Sequence, residues 1–144
     1  MPFDTNNKIV QLCAQGMNYE GEPEKARPFF QQAWAEATTH FEKFVAAHYV
    51  ARQQPSVNDK LKWDETALQF ALLDNQEDIR AAYPSLYLNS GKGYEDLRDF
   101  DRARKHYQLA QSFVGYLPND GYGEMIRSGI RNGLERVKDE PQRG

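Results

Sequence analysis

An all-α protein assembled from antiparallel helix pairs is what this sequence predicts, and three observations predict it. Small and apolar residues recur at i, i+3, i+4 and i+7 through most of the chain, the period of one helix face. No segment shows the period of two that a half-buried strand requires. One stretch occurs twice: Glu24-Lys-Ala-Arg-Pro-Phe-Phe-Gln-Gln-Ala33 and Asp101-Arg-Ala-Arg-Lys-His-Tyr-Gln-Leu-Ala110 share acid, base, Ala, Arg, an aromatic, Gln and a second Ala in register. The same displacement sets Ala14 over Gly91 and Gly16 over Gly93. Internal similarity of this length is the sequence mark of helical repeats.

The elements follow in order. A first helix turns Val10, Cys13, Ala14 and Met17 inward. Gly21-Glu-Pro-Glu24 breaks the chain and places a Pro in the first turn of the next helix, where its missing donor costs nothing. On that helix Ala26, Phe30 and Ala33 share one face. A third helix presents Phe44, Ala47, His48 and Ala51, and a fourth, near 57–73, presents Trp63, Ala67, Phe70 and Ala71. Gln53-Gln-Pro-Ser56 and Asp74-Asn-Gln-Glu77 punctuate this longer, off-register pair. Pro84 opens a fifth helix over 85–97, carrying Tyr87, Ser90, Gly91 and Tyr94. Asp99 is placed to cap a sixth, which carries Ala103, Tyr107 and Ala110. Leu117-Pro-Asn-Asp-Gly121 ends that helix and caps a last one, whose stripe is Tyr122, Met125, Ile126, Gly129, Ile130, Leu134 and Val137. The segment 141–144 reads as a frayed end.

The glycines and alanines have a packing reason. Helices 8–10 Å apart need Gly or Ala where their backbones come nearest, with larger side chains in the grooves beside them. The small–aromatic–small faces, Ala26–Phe30–Ala33 and Ala103–Tyr107–Ala110, with Ala14, Gly91 and Tyr94 on the facing helices, resemble the tetratricopeptide repeat. That resemblance implies a single domain over 1–144, a right-handed stack of antiparallel helix pairs. Its repeats would span about 7–40, 41–83 (irregular) and 84–117, with a capping helix at 119–138. It also implies a concave groove lined by the first helix of each pair: Lys8, Gln11, Gln15 and Asn18, then Val45, Tyr49 and Arg52, then Ser85, Leu88, Lys92 and Glu95. Such grooves hold peptide segments of other proteins. Family members that clamp a terminal carboxylate use Lys and Asn where Gln11 and Gln15 stand here, so that partner is not expected. The alternative is a structural protein that associates with itself, with the irregular middle repeat and the Gly129/Gly133 face as candidate surfaces.

Composition narrows the function classes. The 144 residues suffice for one domain with a real core. Mean hydropathy of −0.83 fits helices with one apolar stripe. Net charge is −3 from 18 basic and 21 acidic residues, without the clustered cations that offset phosphates, so no nucleic-acid partner is expected. A lone cysteine, Cys13, permits no intrachain disulfide and suggests a reducing compartment. Residues 1–8 lack signal-peptide features and no apolar run of membrane-spanning length occurs, so the expectation is a cytoplasmic protein with no membrane partner.

No constellation points to catalysis, a metal or a cofactor. Asn89-Ser-Gly-Lys-Gly93 looks like part of a phosphate loop but lies within a helical pattern, with Leu86 where that motif needs glycine. His40, His48 and His106 do not cluster; His48 reads as a core residue. Cys13 reads as an inert inward thiol. The acidic pairs near Asp99 suit a helix N-terminus, and Asp120 to Glu124 lacks calcium-ligand alternation. Methyltransferase activity is argued against, because no Gly-rich cofactor loop or Asn-Pro-Pro motif is present.

Overall fold

The computed structural model describes residues 4–74 and 76–141. Seven α-helices are described: α1 (Lys8–Met17), α2 (Pro23–Glu36), α3 (His40–Ala51), α4 (Val57–Leu73), α5 (Tyr83–Asp96), α6 (Phe100–Ser112) and α7 (Gly121–Val137). Two 3-10 segments, Glu77–Ala82 and Val114–Tyr116, join them, and no strand occurs among the described residues. No described helix is long and apolar enough to cross a membrane. Apart from Pro141, the expected frayed end lies outside the described residues, as do the first three residues of the segment read for a signal peptide. The chain divides into two compact units, 1–74 and 75–144.

Local chemistry sets the helix starts. Asn7 accepts from the Ile9 and Val10 N–H groups, while Thr39 and Glu42 form a reciprocal capping box. Ser56, Asp99 and Asp120 each take an orphan N–H of the helix they precede. The Asp74–Glu77 break leads into the 3-10 segment 77–82, a feature that periodicity in the sequence did not reveal.

In the first unit α1 and α2 form one antiparallel pair and α3 and α4 another, with α3 also packed on both α1 and α2. Asn7 Nδ2 donates to Glu42 at 3.0 Å beside the starts of α1 and α3. Arg52, just past the end of α3, pairs with Glu20, just past α1. The two helices therefore run parallel. The Phe30 ring, 2% exposed, sits at their junction: it stacks on Tyr49 at 5.4 Å, and a Cβ on Gly16 would run into it.

The second unit repeats the arrangement. α5 pairs with α6, and α7 packs on both. Tyr107 is fully buried, with its ring between two helix backbones. A Cβ on Gly91 would come within 2.8 Å of it, and one on Gly133 within 2.7 Å. Burying a ring in this way stabilises by about 2–3 kcal/mol. Its hydroxyl donates to Glu95 at 2.6 Å, and Arg136 of α7 grips the same carboxylate with bonds of 2.8 and 3.0 Å.

Three expectations need correction. Ala14 is exposed; Gly16 is the small residue at the α1–α2 crossing, as Gly91 is at α5–α6. The repeat register holds from Gly21 over Arg98 onward, both with positive φ, but α1 ends one residue after its crossing glycine while α5 runs on to Asp96. The two first helices are therefore out of the common register by two residues. Secondly, the α7 stripe is rotated: Gly123, Ile126, Ile130, Gly133 and Val137 are buried, whereas Tyr122 and Met125 are exposed. Thirdly, the Gly129/Gly133 face is turned onto Leu88 and Tyr107 within the unit, so it is not open for self-association.

Arg98 closes α5 in the left-handed conformation (φ 65°), with the Asp99 N–H bonded to the Tyr94 carbonyl. A side chain is disfavoured there, and the corresponding Gly21 has no such penalty. Arg98→Gly is expected to raise stability by about 0.5–1 kcal/mol in urea denaturation.

Candidate binding surface

The residues read as groove-lining meet different fates. In the first unit Lys8, Gln11, Gln15 and Asn18 are all exposed on α1 or its end. Lys8 pairs with Glu36, and Gln11 donates to the Thr5 carbonyl at 3.0 Å. Val45 is 1% exposed and belongs to the core. Tyr49 is half-buried, stacked on Phe30 and edge-on to His48 at 5.1 Å. It serves the packing of α3 on α2, and Arg52 is exposed but tied to Glu20. In the second unit Ser85 bonds back to the Ala82 carbonyl and Lys92 pairs with Asp96 on its own helix. Leu88 lies under Gly129 of α7, and Glu95 is committed to Tyr107 and Arg136. Burial pushes the Glu95 carboxyl up, but the bonds from Arg136 and Tyr107 and the nearby positive charges outweigh it and hold it below its ordinary value.

The structural signature residues are placed as their size demands. Ala26, Ala33, Ala103 and Ala110 are fully buried with Phe30 and Tyr107 between them, Gly91 is buried, and Tyr94 is half-buried.

Three titratable groups of the first unit, Cys13, His48 and Asp64, are shifted by burial. Burial pushes the Cys13 thiol up to about 12, far from the thiolate range. Burial, and then the charge of Lys60, brings His48 down to about 4, so its imidazole is neutral; its Nδ1 is buried and meets no partner among the described residues. Asp64 of α4 is buried, which raises its carboxyl despite the 2.6 Å ion pair with Lys60. Among the described residues no three His, Cys, Asp or Glu side chains gather as metal ligands.

A hollow of about 330 Å³ opens in the first unit where α2 meets the end of α3. Phe30, Val50 and Pro55 supply its apolar lining; Arg27, Gln31, Gln53 and Gln54 supply the polar one. Arg27 and Gln31 are i and i+4 on α2, on the side that also bears Phe30. Gln53 and Gln54 are brought opposite by the turn that ends α3, whose N–H groups bond back to Val50 and Ala51. Gln54 donates to the Val50 carbonyl at 3.2 Å. Gln53 Oε1 is buried without a donor among the described residues, a state that costs about 1–3 kcal/mol. Sequence reading missed this set, because Gln53-Gln-Pro55 carries only the signal of a chain break.

A second hollow, about 470 Å³, lies between α6 and α7 and is lined by Arg104, Gln108, Arg131, Leu134, Glu135 and Lys138. Its cations are already engaged. Arg104 holds the Val137 and Glu140 carbonyls and Asp101, Arg131 bonds to Glu124, and Lys138 pairs with Glu135.

No protein-family model, curated protein or solved structure matches the chain.

The neutral state of His48 has a measurable consequence. Its folded value lies below the ordinary one, so the stability it contributes is complete above about pH 6.5 and is lost as pH falls towards 4, on the order of 3 kcal/mol. Asp64 acts in the opposite sense, its raised carboxyl favouring the folded state as it takes up a proton. The comparison with His48→Gln isolates the histidine. Urea midpoints at pH 7 and 4.5 should fall more steeply for the native chain than for the variant.

Proposed function

We propose that this chain is a non-enzymatic binding module of the tetratricopeptide kind, a right-handed stack of helix pairs that holds a peptide segment of another protein. The observation that carries the reading is the repeated junction in which Phe30 or Tyr107, flanked by alanines, sits against a glycine of the facing helix. It is supported by the parallel course of the first and third helices in each unit, which suits hairpins added one after another. A module of this kind performs no reaction. The exposed polar face of α1 and the hollow between α2 and α3 are the surfaces offered to a partner.

Selection of random displayed peptides on the immobilised chain tests this. A recurring sequence should be enriched over an unrelated helical protein, and its binding should weaken on Gln11→Ala with Gln15→Ala, or on Arg27→Ala. If nothing is enriched, or if enrichment ignores all these changes, the module reading falls.

A second reading, self-association, draws on Tyr122 and Met125, exposed one turn apart on α7 at 43% and 61%. Sedimentation at rising concentration separates the two, since a persistent monomer counts against it.

A further inference from the structure

We propose that the hollow between α2 and α3 selects an acidic side chain from an internal segment of the partner polypeptide. The proposal rests on the module reading above and states what that site prefers. Arg27 is the one charged residue lining the hollow among those described. Its nearest carboxylate, Glu24, stands 3.9 Å away on a side chain that is 92% exposed, a loose surface pair of little worth. The guanidinium fork is thus available for a paired bond to an incoming carboxylate. Pro55, exposed beside the nearly buried edges of Phe30 and Val50, offers an apolar surface suited to the methylene stem of a glutamate.

The orphan acceptor supplies an independent pointer. Gln53 lines the hollow with its side-chain Oε1 buried and without a donor among the described residues, and a peptide N–H of a bound chain is a donor that this side chain meets by turning outward. An internal acidic residue has an N–H on either side of its side chain, whereas a carboxyl terminus has one on one side only. The hollow, about 330 Å³, suits one side chain with its flanking peptide groups and is too small for a folded element. The hollow between α6 and α7 has more cations, but Glu135 stands among them and pairs with Lys138, and no orphan acceptor lines it among the described residues.

The test is a titration of the isotope-labelled full chain, followed by NMR, with three capped or open tripeptides. Ac-Ala-Glu-Ala-NH2 carries the acidic side chain, Ac-Ala-Gln-Ala-NH2 lacks the charge, and Ac-Ala-Ala-Ala-OH has only a terminal carboxylate. The glutamate peptide should shift the resonances of Arg27, Gln53 and Gln54 with an affinity about tenfold above the other two. Arg27→Gln should abolish that preference. Gln53→Leu should weaken all three peptides while leaving it intact. Equal responses to the three peptides, a stronger response to the open one, or a preference that survives Arg27→Gln would overturn the proposal. Shifts confined to α1 would overturn it too while leaving the module reading standing; that reading fails only if peptide selection enriches nothing or enriches sequences whose binding ignores the α1 and Arg27 substitutions.

Discussion

The structure depends on an aromatic ring held against a glycine backbone. In each unit the second helix carries that ring, the first helix supplies the glycine, and a third helix closes over the other side. Phe30 meets Gly16 of α1 and Tyr49 of α3; Tyr107 meets Gly91 of α5 and Gly133 of α7. A ring can occupy such a junction only if the first helix carries no side chain where it faces the ring, and Tyr107 needs the same of α7. Flanking alanines let the helices approach to the distance at which the ring fills the remaining space. The hydroxyl of Tyr107 adds a constraint that Phe30 lacks: it must be bonded when buried, and Glu95 with Arg136 provides for that. Glu95 is therefore part of the clasp between α5 and α7.

This constraint bears on function through what it leaves outside. The inward faces of the helices are consumed by packing, so any partner must be met by their polar outer sides or by the hollows between them. In the first unit α3 is surrounded by α1, α2 and α4, which is why four successive residues, Phe44 to Ala47, are all buried. The turn after α3 must then bend back over Phe30, and in doing so it brings Gln53 and Gln54 opposite Arg27. The hollow follows from the manner in which α3 ends.

Helix starts were legible in the sequence where a residue that can bond an orphan N–H marks them, as Asp99 and Asp120 do, or where a Pro stands in the first turn, as in α2 and α5. The alanine–aromatic–alanine faces were legible because only one helix period brings those residues together. The register of α1 was not. Ala14 and Gly16 are both small, and the choice between them depends on where α1 stops, a matter settled by the turn Asn18–Gly21 and not by periodicity. The face of α7 was misread for a related reason: Tyr122 and Met125 are apolar, while Gly123 and Gly133 contribute nothing to an apolar stripe yet lie on the buried side, Gly133 against Tyr107 and Gly123 against the Pro118 carbonyl. The polar hollow left no trace at all, since an arginine and three glutamines distant in sequence acquire meaning only through the packing of α2 and α3.

The most direct test of the ring-on-glycine junction is a double-mutant cycle in urea between Gly91→Ala and Tyr107→Leu. If the ring fills the space that a methyl group at position 91 would invade, its removal relieves the crowding, and the two changes together cost at least about 1 kcal/mol less than their sum. Strict additivity would mean that the ring and the glycine do not confront each other, and would contradict the account of how these helices are held.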